Sequence, residues 1–367
     1  MKLPTVELTG PPAAMGESFG EQFKEQIRQF AARRLEQVTK FVALHDSGRR
    51  VTRHDILEAA ATTRTAHESY DASIWAEFQG IARAAGLTID ELLVGNGLTD
   101  LRDLILFENR NLAAAPQAHY DECTAFIVPP SCADADRTIS GQTWDMHADA
   151  MDYMVMVRRR PDDGPSTLGL TTVGCLCLIA MNEEGVAVGN TNLVPTDARV
   201  GVNYLFTITR ALRCRSAAEA AEVVEKTPRL SGHNFYLADA DGGINVECTA
   251  TRTRRTPVAT EPFVHANHYI DPELGSIEYP RDMASSRWRH GKMEACFAAM
   301  QRPVTADACW ERLAEVSQAC VPHCNHEAGA DDLEPATVAT VVMRPGAGKL
   351  DVCAGTTDAG QRQRMAL

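Results

Sequence analysis

The sequence predicts a layered α+β fold. Three observations carry this. Apolar residues recur every three or four positions through residues 12–110, the period of a helix with one buried face. After Tyr120 the texture changes to short β-type runs separated by turn residues. Helices and strands also come in separate runs rather than in strict alternation, which argues for packed layers and a mostly antiparallel sheet.

The elements follow in order. Met15, Phe19, Phe23, Ile27 and Phe30, continued by Leu35, Val38 and Val42, lie on one stripe with charges between them, which predicts one long amphipathic helix. Residues 52–68 open on a Thr with Asp55 three positions on, a capping signal, and helices are also expected around 75–85 and over 88–107, which begins "TIDELL". Nothing in these first 110 residues concentrates catalytic side chains, so they read as a helical layer covering something else. The runs "TAFIVPP", "TISGQTWDM", "DYMVMVRRR", "STLGLTTV", "CLCLIAMNEEGVAVGNTNL", "NFYLADADGGINVECTA" and "RTRRTPVA" read as strands, with "NEEG" and "DADGG" as hairpin turns. Helices are expected over 206–226, 285–300 and 306–318, before a closing hairpin, "TVATVVMRPGAGKLDVCAGT".

With 367 residues and 44% hydrophobic content, the chain can bury a large core as one big domain or two ordinary ones. Its formal charge of −13 repels nucleic-acid phosphates and anionic membranes, so neither is expected as a partner. No run approaches the roughly 18 apolar residues of a membrane span, and the N-terminal stretch lacks the marks of a signal peptide, so a soluble cytoplasmic protein is expected. Eleven cysteines without an export signal argue for reduced core thiols rather than a disulfide framework. Cys175 and Cys177 alternate with Leu176 and Leu178 in a strand-like run and read as small buried hydrophobes. "CVPHCNH" offers Cys320, His323, Cys324 and His326, but neither as paired CxxC nor as helical HExxH, and Pro322 interrupts it. No metal and no cofactor are expected.

Cys123, in "DECTAF", heads the first strand-like run with Thr124 beside it. A free thiol, with a pKa of about 8.5, needs a base to act as a nucleophile at neutral pH. The nearest downstream histidine is His147, and no local Cys/His signature surrounds Cys123. Cutting the Glu122–Cys123 bond provides another route, because the new α-amino group, with a reference pKa of about 7.7–8.0, then sits on the same residue as the thiol and can serve as its base. A strand-initiating cysteine packed in the core is the ordinary alternative.

The order "DECTAF", "GQTWDM", "NEEGVAVGNTNL", "GHNFYLAD", "SSRWR", "TVATVVMRP…LDVCAGT", preceded by "LTGPPAAMGESFGEQFKEQI" with Gly16 and Gly20, resembles the acyl-coenzyme A:6-aminopenicillanate (isopenicillin N) acyltransferase-like family. That family, peptidase family C45, belongs to the N-terminal nucleophile hydrolases and is distantly related to the choloylglycine hydrolases. The resemblance covers nearly the whole length. It implies a four-layer αββα sandwich preceded by a helical segment. It also implies a precursor that cuts itself before the cysteine, giving an α chain of residues 1–122 and a β chain of 123–367 within one structural unit.

Residue by residue, the resemblance implies that Cys123 is the nucleophile and that the cut falls between Glu122 and Cys123. Asp145 would hold the new amino terminus, and Asn192 and Asn234 would donate to the oxyanion, with Asn190 a rival of Asn192. Arg287 would stand near the nucleophile, with Arg289 its neighbouring rival. Thr124, Trp144 and His147 would line the pocket, and "HANH", His265 to His268, would shape the substrate side. Glu122 departs from the penicillin acyltransferase itself, which carries glycine there. The function so implied is an autoprocessed amidohydrolase that cleaves a small-molecule N-acyl amide through a thioester. The alternatives are acyl transfer to an amine, with coenzyme A as a conceivable donor, and an unprocessed, non-catalytic relative. The partners are then the substrate and the two chains of one precursor, with a homo-oligomer left open.

Overall fold

The structure, a computed structural model, describes residues 2–45, 50–107, 123–320, 335–357 and 360–367. The chain opens with β1 (Thr5–Gly10) and six helices: α1 (Pro12–Gln22), α2 (Lys24–His45), α3 (Arg53–Tyr70), α4 (Ala72–Ala85), α5 (Ile89–Asn96) and α6 (Leu98–Phe107). Next come β2 (Cys123–Val128), β3 (Ile139–His147), β4 (Met154–Pro161), β5 (Thr167–Thr172), β6 (Ile179–Asn182) and β7 (Ala187–Asn192). Helices α7 (Tyr204–Ala211) and α8 (Ala217–Lys226) precede β8 (His233–Asp239), β9 (Gly242–Cys248), β10 (Thr253–Val258) and β11 (Phe263–His265). The short α9 (Pro272–Gly275), α10 (Ala284–Ala299) and α11 (Ala306–Cys320) lead to β12 (Pro335–Arg344), β13 (Lys349–Ala354) and β14 (Gln363–Ala366).

Two sheets form the centre. The larger runs β1-β4-β5-β6-β7-β8-β9-β10 and the smaller β11-β2-β3-β12-β13-β14. Only the β1–β4 pair is parallel among these neighbours. The sheets meet face to face where β2 and β3 pack on β7 and β8; α7 and α8 cover the far side of the larger sheet, and α10 and α11 that of the smaller. This is the αββα order of layers. Strand alternation divides the core: Cys123, Ala125 and Ile127 face the space between the sheets, whereas Phe126 and Val128 pack with Met293, Phe297 and Leu313 of α10 and α11.

Several expectations need correction. The long amphipathic helix is two, α1 and α2, because Phe23 leaves helical geometry with φ −120° and ψ 23°; a one-residue kink leaves the apolar period intact, so the sequence does not register it. The helix expected over 88–107 breaks at Gly97 into α5 and α6, and that expected over 206–226 breaks before Ser216, whose side chain caps α8. The run around Cys175 and Cys177 is a buried loop following Gly174, at φ +78°, and the strand begins at Ile179. Strands β11 and β14, of three and four residues, are too short to stand out in the sequence, and β1 (Thr5–Gly10) was not expected. The capping box at Thr52 and Asp55 forms as expected.

Gly16 of α1 and Gly80 of α4 allow the two helices to touch backbone to backbone. A Cβ at Gly16 would lie 2.0 Å from the Glu77 carbonyl oxygen, and one at Gly80 2.3 Å from that of Ala13. Alanine is worth about 1 kcal/mol over glycine inside a helix, but such an overlap with rigid backbone costs about 3 kcal/mol. Gly16→Ala should therefore destabilise the protein by about 2 kcal/mol net, read as a lower urea midpoint with an unchanged slope; a midpoint at or above wild type would show that the helices part freely.

Candidate active site

Cys123 is the first residue of β2, paired with Trp144 of β3, and is buried. Side chains hold its backbone on both sides of the Cα atom. Its N–H donates to Asn267 Oδ1 at 2.6 Å. Its carbonyl accepts from Arg289 Nη1 of α10, which also donates to Thr124 Oγ1 at 3.0 Å, while Arg289 Nη2 donates to Asn267 Oδ1 at 3.1 Å. The Arg289 side chain is fully buried, and its planar fork suits this fan of acceptors.

Asn267 is itself fixed on every side. Its Nδ2 donates to the Asn192 carbonyl at 3.1 Å, its N–H to Ser286 Oγ at 2.8 Å, and its carbonyl accepts from Arg281 Nη2 at 2.6 Å. With Oδ1 accepting twice and Nδ2 donating once, the orientation of the amide is determined. The thiol lies 3.9 Å from the Asp145 carbonyl oxygen. Thr143 Oγ1 receives the Thr124 N–H at 3.2 Å and reaches Asp145 Oδ2 at 3.5 Å.

The structure gathers some of the expected residues and disperses others. Cys123, Thr124, Trp144 and Asp145 lie together at the paired ends of β2 and β3. Asn192 ends β7 and reaches the group through its carbonyl; both polar atoms of its own side chain are buried with no partner among the described residues. Asn234 on β8 accepts from Asn245 Nδ2 at 2.7 Å, and its own Nδ2 is buried without an acceptor among the described residues. His147 packs its ring 4.9 Å from that of Phe41, and burial, with Arg34 and Arg102 nearby, holds its pKa well below the usual imidazole value. It is therefore a neutral ring on the α2 side. Glu122 lies outside the described residues.

The arginine at Cys123 is Arg289, not Arg287. Ser286 and Arg289, three apart, share the buried face of α10, whereas Arg287 is exposed. Two further residues were not in the expected catalytic set. Asn267 has only its place between strand-like segments to mark it. Tyr236 stands two residues after Asn234, so the period of a strand puts both on one face. Its Oη is buried with no hydrogen-bond partner among the described residues, and burial, then the nearby Cys123, raise its pKa well above 10. It stays a phenol. Gly189 makes room for it, since a Cβ there would lie 2.3 Å from Oη and 2.6 Å from Gln142 Oε1.

Among the described residues no group of three or more His, Cys, Asp or Glu is arranged to hold a metal, and no helix is long and apolar enough to cross a membrane. The side chains of Cys320, His323, Cys324 and His326 lie outside the described residues. Nine described cysteines carry free thiols.

The model of the family described as "Acyl-coenzyme A:6-aminopenicillanic acid acyl-transferase" matches residues 132–359, more than half of the chain. The chain belongs to this family. The stretch that matches the acyl-transferase model holds Asp145, Asn192, Asn234, Asn267 and Arg289 and begins downstream of Cys123. No curated protein matches the chain. Among solved structures, a mutant of the conjugated bile acid hydrolase from Clostridium perfringens is similar over 67% of this chain and 92% of its own, at 12% identity and a TM-score of 0.51. Penicillin V acylase from Agrobacterium tumefaciens is similar over 67% and 86%, at 15% identity and a TM-score of 0.47. The αββα fold of this acyl-transferase family member is thus shared with that bile acid hydrolase.

Proposed function

We propose that the chain cuts itself between Glu122 and Cys123 and then works as an N-terminal cysteine amidohydrolase on small N-acyl amides. The observation that carries this is the double grip on the backbone of Cys123, with Asn267 on its nitrogen and Arg289 on its carbonyl. A cysteine that merely fills the core needs no side-chain partners for its own N–H and C=O. One whose amino group must become a base has to have that nitrogen held in place.

In the cutting step, Cys123 Sγ attacks the Glu122 carbonyl carbon; the C–S bond forms, the C–N bond breaks, and the thiol proton passes to the nitrogen, which leaves as the free α-amine. Water then hydrolyses the thioester, freeing the Glu122 carboxyl and the Cys123 thiol. Residues 1–122 and 123–367 become two chains of one folded unit. In turnover the Cys123 amine, hydrogen-bonded to Asn267 Oδ1, takes the thiol proton. The thiolate attacks the substrate carbonyl, the amine returns the proton to the leaving nitrogen, and water resolves the acyl-enzyme. Asp145 steadies the amino terminus. Asn192 and Asn234, whose buried Nδ2 groups have no described acceptor, donate to the oxyanion, a contribution of about 3 kcal/mol for one such donor. Arg289 takes the place given to Arg287 above. Trp144, the strand partner of Cys123, and Tyr236 lie on the thiol's side of the sheet; Thr124 turns to the other face, where Arg289 bonds it, and His147 packs on Phe41, so neither is given the pocket-lining place expected above. Nine unbridged thiols fit action in the cytoplasm.

Membership of an acyl-transferase family favours a second reading in which an amine, rather than water, collects the acyl group. Both share the acyl-enzyme, and product ratios with and without an added amine separate them. The reading itself is tested by the intact mass of the purified protein under denaturing conditions. Two species meeting at Glu122 and Cys123 are expected. A single 40.0 kDa species that hydrolyses amides at full rate would sink the mechanism.

A further inference from the structure

Glu247 and His265 form a buried pair that does not touch Cys123 yet bears on it. Glu247 belongs to β9 of the larger sheet, and His265 ends β11 of the smaller one. His265 Nε2 lies 3.0 Å from Glu247 Oε1. Its Nδ1 lies 2.8 Å from the Ala266 carbonyl and 3.1 Å from Thr191 Oγ1, and the Thr191 hydroxyl donates to that same carbonyl at 2.5 Å. Nε2 thus faces a carboxylate and Nδ1 a carbonyl, two groups that only accept. Glu247 also accepts the N–H of Ile270 at 2.6 Å and of Asp271 at 3.0 Å.

These bonds tie residues 265 and 270–271 to the larger sheet, and Asn267 sits inside that span. Burial opposes the charge on Glu247, but the hydrogen bond and charge of His265 and the two amides outweigh it and leave its pKa below the usual glutamate value. The pair is therefore a hydrogen-bonded clamp across two sheets. A buried polar pair is a poor source of stability, because apolar residues of similar size often serve as well. What it supplies is geometry. The contact it governs, Asn267 Oδ1 to the Cys123 nitrogen, is 2.6 Å long, and a misplacement of about 1 Å at a reacting group can cost on the order of 100-fold in rate.

We propose that Glu247 and His265 are positioning residues, which clamp the segment from His265 to Asp271 so that Asn267 meets the Cys123 nitrogen both before and after cutting. The inference rests on the reading of Cys123 as an N-terminal nucleophile. The experiment uses the full chain and two rates that need no known substrate. One is self-cutting, followed by intact mass after cell-free synthesis; the other is alkylation of Cys123 by iodoacetamide in the cut protein. Glu247→Gln keeps the shape but turns one acceptor into a donor facing N–H groups, and it should slow both rates about tenfold. His265→Gln should do the same, and Glu247→Asp should recover part of the loss.

The decisive arm is the double variant. Once Asn267→Ala has removed the group being positioned, adding Glu247→Gln should change either rate less than twofold. Urea midpoints show that each variant is folded. Glu247→Gln and His265→Gln proteins that cut and alkylate at wild-type rates would overturn the clamp alone, as would a tenfold loss that persists in the Asn267→Ala background, because that loss would not pass through Asn267. A wild-type chain that is never cut, and whose activity survives Cys123→Ala, would overturn the underlying reading and the clamp with it.

Discussion

Cys123→Ala protein should appear as a single 40.0 kDa species, while wild type appears as two, of roughly one third and two thirds of that mass. Alanine has no atom to form the C–S bond, so both the cutting step and every turnover lose their nucleophile. Across a panel of N-acyl amides the expected loss is on the order of 10⁵-fold or more, the scale of nucleophile deletions in covalent catalysis. Cys123→Ser should separate the two tasks: its hydroxyl is a weaker nucleophile at neutral pH, so slow cutting over hours with little turnover is the expected pattern. Folding should not be the cause, because alanine keeps the backbone bonds of β2 and the thiol's contact with the Asp145 carbonyl is a long 3.9 Å, so far-UV circular dichroism of Cys123→Ala should match wild type. Full cutting of Cys123→Ala would place the chemistry elsewhere.

Arg289→Ala is expected to reduce cutting and turnover by about 100-fold, whereas Arg287→Ala leaves both unchanged. The difference follows from burial. Arg289 is fully buried and donates to the Cys123 carbonyl, Thr124 Oγ1 and Asn267 Oδ1; a hydrogen bond from a charged donor is worth about 1.5–3 kcal/mol, and about 3 kcal/mol is a factor of roughly 100. Its removal also leaves buried acceptors without a donor, so the unfolding midpoint should fall. Arg289→Lys restores a charge but not the planar fork, and partial recovery is expected. Arg287 is exposed, and truncating such a side chain changes stability by less than about 0.5 kcal/mol. Parallel measurement of cut fraction over time for the three variants checks the prediction, and equal losses at both arginines would remove Arg289 from its assigned place.

The residues that could be read from the sequence are those whose role rests on local pattern. The helical stripe from Met15 to Val42, the capping box at Thr52 and the strand runs of β2 and β3 follow from local pattern alone. The breaks at Phe23 and Gly97 were not legible, because the apolar period continues across them. In the site, Cys123 stood out by lying at the change from helix to strand. Asn267 did not, since an asparagine between two strands is common, and nothing local says that it faces a nitrogen 144 positions away.

The sequence by itself determined that this is a layered α+β protein of one family, and it placed the suspected nucleophile at Cys123; periodicity and motif order are one-dimensional properties and survive without coordinates. Only the tertiary structure decided between Arg287 and Arg289 and brought Asn267 and Tyr236 to the group. Which of two residues, two apart on a helix, faces inward depends on how the helix is rotated against the sheet. That rotation is fixed by long-range packing of α10 on β2 and β11, to which a local spacing rule is blind.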